Sequence, residues 1–217
     1  MNIIENINVI VDNINKYNAG AKLVAATKTR SIEEIFTALS SGKILAAGEN
    51  RVQELLDKFD KSIRWDFIGQ LQTNKVKYIV DKVELIHSVD RINLAQVIDK
   101  EASKINKVQD ILIEINSGKE ETKGGIYLEN AVSFLEELSC FSHIRVRGIM
   151  AVAPIFYSKD ELRKTFDEVY NVYQRIKSKD FCYLSMGMSN DYVEALKSGA
   201  NLIRLGRAIF GERVTNG

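Results

Sequence analysis

Short apolar runs alternate with charged, amphipathic segments along nearly the whole chain. The runs are KLVAATK (22–28), ILAAGE (44–49), RWDFIG (64–69), VELIHSV (83–89), DILIEIN (110–116), IRVRGIMAV (144–152), FCYLSMG (181–187) and NLIRLG (201–206). Their apolar content is near-continuous rather than alternating, which marks strands covered on both faces, as in a parallel sheet. Between them lie segments with helical spacing, among them SIEEIFTALSSG, RVQELLDKF, RINLAQVIDKEASKI, LENAVSFLEELS and KDELRKTFDEVYNVYQRIKS. Ser31 with Glu34 has the spacing of a capping box, and Gly42 that of a helix stop. Eight strands, each linked to the next by a helix, plus one extra N-terminal helix, predict an α/β fold: a closed (β/α)8 TIM barrel. The rival, an open doubly wound sheet, would want a glycine-rich turn after its first strand, and TKTRS is not one.

Composition narrows this further. The 217 residues, 45% hydrophobic and 27% charged, suit one soluble domain spanning 1–217. The single proline and the lack of a Ser/Gly/Pro-rich linker favour one continuous unit. A net charge of +1, from 30 basic and 29 acidic residues, offers no global field for nucleic acid or an anionic membrane. The N-terminal MNIIENINVIVDNINKYN is amphipathic but has no cationic leader, so it reads as neither a signal peptide nor a membrane span. Cys140 and Cys182 lack metal-ligand spacing and read as packed thiols of a reducing compartment, so the expected location is cytoplasmic.

A barrel of this kind works at the C-terminal ends of its strands. Those ends carry Lys28, then Glu49 with Asn50, Gly69-Gln70, His87-Ser88 with Asp90, Asn116, Met150, SMGMSND and LGRAIFG. Phosphate sites in such barrels gather after strands seven and eight. Here Gly187 and Ser189 follow strand seven, Asn190-Asp191 open a helix, and Gly206-Arg207 follow strand eight. Backbone N–H groups at glycines and helix starts form an anion cradle, to which a serine hydroxyl adds a donor. Arg204 shares Gly206's side of its strand. Taken singly, the glycines are equally compatible with tight turns and Arg204 with a surface charge; their convergence favours a site. Lys28 by default would be a solvated lysine. Beside apolar walls at a barrel mouth, however, its ammonium would be poorly solvated and its free amine a nucleophile. A phosphate cradle opposite such an amine suits a phosphorylated aldehyde, of which pyridoxal phosphate is the common cofactor.

These residues carry a resemblance. LVAATK, GENRVQE (48–54), FIGQLQTNK (67–75), IHSVDR (86–91), LIEINSGKEETKGG (112–125), RGIMAV (147–152) and LSMGMSNDYVEALKSGANLIRLGRAIFG (184–211) resemble the YggS/PROSC family of pyridoxal-phosphate-binding proteins, whose fold is the barrel domain of bacterial alanine racemase. The resemblance covers nearly the whole chain. It implies that Lys28 is the Schiff-base lysine and that Ser189 and the Gly206-Arg207 backbone bind phosphate. It places Arg204 beside the cofactor, near its ring nitrogen or its phosphate, and Asn50 in the pocket wall. The chain departs from the family pattern where Arg30-Ser31 replaces a proline, Asp66 a common histidine, and Arg207 a threonine or serine. A backbone contact from Arg207 would survive that last change.

The family is implicated in holding, buffering or delivering pyridoxal 5'-phosphate, with no established catalytic activity, so the resemblance implies a homeostasis protein rather than an enzyme. The alternative is a pyridoxal-phosphate-dependent amino-acid racemase or related enzyme. Alanine racemase takes its second acid/base, a tyrosine, from an additional β-domain, and with the sequence ending eleven residues after Gly206 no such domain is expected here. A metal-dependent hydrolase is disfavoured because His87 and His143 can hardly build a two- or three-histidine site. His87 is expected as a hydrogen-bonder at the rim, and His143 as a surface residue at the opposite end. The expected partners are pyridoxal phosphate and client apo-enzymes, not nucleic acid or membrane, and the chain is expected to be a monomer. The charged loop 117–125 reads as solvated, with Lys123 a candidate for passing the cofactor on.

Overall fold

The computed structural model describes residues 2–120, 123–154 and 158–212. A helix α1 (Ile3–Asn18) precedes the strands β1 (Lys22–Ala26), β2 (Ala46–Glu49), β3 (Trp65–Phe67), β4 (Leu85–Val89), β5 (Gln109–Ile115), β6 (Ile144–Ala151), β7 (Tyr183–Ser185) and β8 (Leu202–Leu205). The connections carry α2 (Ile32–Leu39), α3 (Val52–Lys58), α4 (Ile92–Ser103), α5 (Ala131–Leu138), α6 (Lys159–Ile176) and α7 (Tyr192–Lys197), and α8 (Arg207–Phe210) follows the last strand. The strands pair in chain order, all parallel, and β8 closes onto β1 in the register Lys22↔Leu202 to Ala25↔Leu205. This is the expected (β/α)8 barrel with its extra N-terminal helix.

Closure explains why the strands read as continuous apolar runs. Alternate residues of each strand face two different cores. Leu23, Ala25, Ala47, Ile111 and Ile113 join the core between sheet and helices. Val24, Ala46, Leu85, Leu112, Met150 and Leu202 form a separate cluster filling the barrel interior. With water on neither face, period-two polarity vanishes from the sequence.

Local signals set the helix starts. Asn2 and Ser31 each accept from the backbone N–H three residues on, while Glu5 and Glu34 reach back to the cap N–H. These are the capping boxes that fix α1 and α2. Gly42, at φ +65°, takes the left-handed conformation that ends the α2 segment. Helix α1 packs on α2, α7 and α8, and its Asn6 Nδ2 donates to the Ile209 carbonyl at 2.9 Å. One connection differs from expectation. Between β3 and β4 the chain forms a 3-10 helix, Thr73–Tyr78, because only scattered apolar residues (Leu71, Val76, Ile79, Val80, Val83) are available there to bury. The strands are also shorter than their apolar runs, since the chain turns out of the sheet at the rim.

Gly148 in β6 is the tightest point of the barrel. Its φ is +143°, and a Cβ there would lie 1.8 Å from the Tyr183 carbonyl oxygen on β7. Gly148→Ala should therefore destabilise the fold by roughly 3 kcal/mol or more, combining backbone strain with overpacking. Denaturant unfolding of the two proteins measures this; a loss under about 1 kcal/mol would mean that the β6–β7 seam yields more easily than its geometry implies.

Candidate functional site

The end of β1 is tied down from several sides. Thr27 Oγ1 donates to Glu49 Oε1 at 2.7 Å, and Lys58 Nζ, reaching in from α3, donates to the same oxygen at 2.8 Å and to the Thr27 carbonyl at 3.0 Å. Glu49 is fully buried, so its carboxylate is neutralised by a charged and a neutral donor rather than by water. On the other side, Thr29 sits at φ +64° with its N–H on Glu54 Oε2 at 2.8 Å. Arg30 N donates back to the Thr27 carbonyl, and its guanidinium reaches the Gly211 carbonyl at 2.7 Å. Lys28 is thus the half-buried residue between two fixed neighbours, and its own Nζ has no hydrogen-bond or ion-pair partner among the described residues. By the period of two it continues the side of Val24 and Ala26, which face the barrel interior and its mouth.

Beside β1, across β8, lies a cavity of about 510 Å³ lined by Ala26, Ser189, Asp191, Arg204, Gly206 and Arg207 among others. Gly187, at φ +99°, lets the β7–α7 loop fold over this space: a Cβ there would come within 2.8 Å of the Ala195 Cβ. Ser189 Oγ accepts from the Ala208 N–H at 3.1 Å and so ties the loop after β7 to the first turn of α8. The N–H groups of Ser189, Gly206 and Arg207 donate to no acceptor among the described residues. Unpaired donors converging on one cavity are what an anion with several oxygens would satisfy. The exposed Arg207 side chain donates to Asn190 Oδ1 at 3.1 Å, and Asn190 lines the same cavity.

Arg204 enters from below. It is 5% exposed, and it donates to the Ser185 carbonyl, Ser185 Oγ and the Ala151 carbonyl. Burial lowers its pKa to about 10, so it remains a cation at neutral pH. The interior also holds polar residues that were not expected at the site: Asp66 and Ser185, both buried, and the half-buried Glu114. His87 belongs with them. The expectation of a rim position is corrected: its ring is fully buried inside the barrel, 3.3 Å from Asp66 Oδ2, and burial pushes its pKa down. The available signal was a polar residue at an inward position of a strand otherwise built of apolar ones. Glu114 is raised to about 7, by burial first and then by the charge of Asp90, and its Oε2 has no hydrogen-bond partner.

Of the six residues anticipated as cofactor-binding, Ser189, Arg204, Gly206 and Arg207 share the first cavity. Asn50 is half-buried and lines a different hollow of about 430 Å³ with Gln70, Gln72 and Lys75. Lys28 lines neither; it stands at the end of β1, the strand between β8 and β2. Lys123 is exposed and pairs with Glu120 at 2.6 Å, and the rest of the anticipated 117–125 loop includes residues 121 and 122, which lie outside the described residues. His143 is partly exposed at the start of β6, as expected. Cys140 is exposed and Cys182 half-buried, so the reading of Cys140 as a packed thiol does not hold. Among the described residues there is no group of three or more His, Cys, Asp or Glu side chains arranged for a metal ion, and no helix long and apolar enough to cross a membrane.

Residues 1–214 match the family model described as alanine racemase, N-terminal domain. The chain is 42% identical over 227 residues to the pyridoxal phosphate homeostasis protein of Aquifex aeolicus, covering 98% of this chain and 99% of that one. To the pyridoxal phosphate homeostasis protein of Synechocystis it is 37% identical, covering 89% and 92%. Among solved structures, PipY of Synechococcus elongatus with pyridoxal phosphate bound superposes with a TM-score of 0.84 at 27% identity, over 96% of this chain and 100% of that one.

The buried carboxyl of Glu114 should make stability depend on pH. Its folded pKa, about 7, lies above its ordinary value of 4.5. Its contribution is therefore fully present below pH 4.5 and is lost as pH rises through 7. Glu114→Gln should leave stability at pH 5 nearly unchanged and raise it at pH 8 by on the order of 2 kcal/mol. Denaturant melts at the two pH values check this; an equal effect at both would show that Glu114 ionises as freely in the folded protein as in the unfolded one.

Proposed function

The chain belongs to the alanine racemase N-terminal domain family and, within it, to the pyridoxal phosphate homeostasis proteins, and from that premise we propose that it holds pyridoxal phosphate at the β1–β8 rim and keeps it available in the cytoplasm. The observation that carries this reading is the convergence of unpaired donors on one cavity. The N–H groups of Ser189, Gly206 and Arg207 and the hydroxyl of Ser189 fit a phosphate, and Arg204 adds a buried cation on the same cavity. When bound, pyridoxal phosphate supplies an aldehyde that condenses reversibly with a primary amine. Lys28 is the residue of this rim that offers one from a rigid base, because Thr27 and Thr29 fix its backbone on both sides. Asn50, from the adjacent hollow, contributes a polar wall on the other side of β1.

Holding the cofactor asks only for an anion site and a reversible lysine. Racemisation or transamination also asks for a base placed against the substrate's α-carbon. The described residues lining the cavity include no tyrosine, histidine or cysteine. The Asp191 carboxylate is engaged by the Met188 N–H, and Lys159 lies exposed on its edge. That inventory favours a carrier that passes the cofactor to client apo-enzymes over a catalyst, and nothing in it calls for a second subunit, so the working unit is taken as a monomer.

Purified protein incubated with pyridoxal phosphate should gain absorption near the visible edge, and borohydride should fix the cofactor on Lys28. Lys28→Ala should lose that band, and an adduct found by mass spectrometry only on another lysine would reassign the residue. Ser189→Ala removes a charge-assisted hydrogen bond worth on the order of 1.5–3 kcal/mol, a roughly tenfold to hundredfold weaker Kd for pyridoxal phosphate. Its affinity for pyridoxal, which lacks the phosphate, should barely change. The loaded protein should activate a pyridoxal-phosphate-dependent apo-enzyme without racemising common amino acids. Multiple turnovers that vanish in Lys28→Ala would establish the enzyme reading instead.

A further inference from the structure

Four buried side chains from four strands form one hydrogen-bonded line through the barrel. Arg204 Nη1 lies 2.6 Å from Ser185 Oγ, Ser185 Oγ lies 3.4 Å from His87 Nδ1, and His87 Nε2 lies 3.3 Å from Asp66 Oδ2. Asp66, His87 and Ser185 are fully buried, and Arg204 is 5% exposed. Arg64 Nε stands 3.7 Å from the other Asp66 oxygen, at the far end of the line.

The direction of every bond in this line follows from which groups can only donate or only accept. A guanidinium has no acceptor, so Ser185 Oγ accepts from Arg204. The one hydroxyl proton of Ser185 is then free to go to His87 Nδ1, which must hold a lone pair to receive it. The ring proton therefore sits on Nε2 and is donated to the Asp66 carboxylate, which can only accept. The reverse tautomer would set a lone pair of Nε2 against a carboxylate oxygen and aim a second donor at Ser185 Oγ, and both are costly in a dry interior. Burial, which disfavours the charged imidazolium, agrees with a neutral ring.

Arg204 has five N–H donors. Two on Nη1 go to the carbonyl and hydroxyl of Ser185, and one on Nη2 goes to the Ala151 carbonyl at 3.1 Å. Two remain, one on Nε and one on Nη2, in a residue that lines the cavity.

We propose that Asp66, His87 and Ser185 are positioning residues: by locking His87 as its Nε2–H tautomer they orient the Ser185 hydroxyl, and through it hold the Arg204 guanidinium with its two spare donors committed to the cavity. The consequence for ligand binding rests on the pyridoxal phosphate reading above; the order of bonds inside the barrel does not. Asp66 stands where the resembled family commonly has histidine. In this chain the carboxylate is what dictates the tautomer.

The test begins with protein free of cofactor. The chain has two histidines, His87 and His143, so imidazole-nitrogen NMR, with His143→Gln for assignment, reads the His87 tautomer directly. The expected result is a neutral ring protonated on Nε2 at pH 7. A ring protonated on Nδ1, or doubly protonated, overturns the proposal without any variant. Asp66→Leu should yield a tautomer mixture, weaken the Kd for pyridoxal phosphate about tenfold and shift the absorption maximum of the bound cofactor. Asp66→Asn, which keeps an accepting oxygen, should retain the tautomer and bring the affinity back to within about threefold of the parent. If the folded Asp66→Leu protein keeps the parental tautomer, Kd and spectrum, the line does no positioning and the proposal falls. If the parent protein shows the Nε2–H ring yet binds no pyridoxal phosphate, the hold on Arg204 stands and the cofactor reading is what fails.

Discussion

The pairing of β8 with β1 is the contact on which the rest depends. It sets residues 22–25 directly against 202–205, so the two rim segments that follow, Thr27–Arg30 and Gly206–Phe210, emerge side by side. Lys28, near one end of the chain, and the cavity-lining loops after β7 and β8, near the other, become neighbours only through that seam. Each side then reinforces it locally. Arg30 reaches across to the Gly211 carbonyl, and Ser189 holds the first turn of α8 against the loop after β7. The cavity beside Lys28 is therefore a property of closure, and no single connection builds it.

Closure also dictates what the interior must contain. Eight strands turn one face inward, and that volume has to be filled by side chains. In its lower part apolar residues suffice, as Val24, Ala46, Leu85, Leu112 and Leu202 show. Toward the mouth the filling turns polar, and every polar atom there must find a partner within the barrel. Asp66, His87, Ser185 and Arg204 do this in part by bonding in a line, although Asp66 Oδ1 is left without a hydrogen-bond partner. Glu114 does so incompletely, and the burial of its carboxyl beside Asp90 holds its pKa high.

Much of this was legible in the sequence, for identifiable reasons. All eight strands announced themselves because burial on both faces leaves unbroken apolar runs, and the α2 capping box could be read from Ser31 and Glu34 alone. The gathering of Ser189, Arg204, Gly206 and Arg207 at one cavity was readable because glycine, serine and a helix start coincide there. Strand ends were less so, since Thr27 and Lys28 continue the pattern of β1 after the ladder has stopped. His87 was misplaced because position along a strand does not reveal depth within a barrel. The β4–β5 register shifts between Ile86 and Val89, which leaves the fourth strand's end ambiguous in sequence. The resemblance implied one pocket for Asn50 and Ser189; in space β1 lies between their hollows.

The grip of α1 on α8, where Asn6 donates to the Ile209 carbonyl, has a consequence for how the protein comes into being. Helix α1 docks on α8, which is synthesised about two hundred residues later. Until then β1 and β7 are both open edges of an unfinished sheet, with backbone donors and acceptors exposed to any passing strand. A loop of that length is slow to close, because its ends must find each other before any contact rewards the search. Until the seam closes, those edges stay adhesive. The cavity between the loops after β7 and β8 can take shape only once β8 has joined β1.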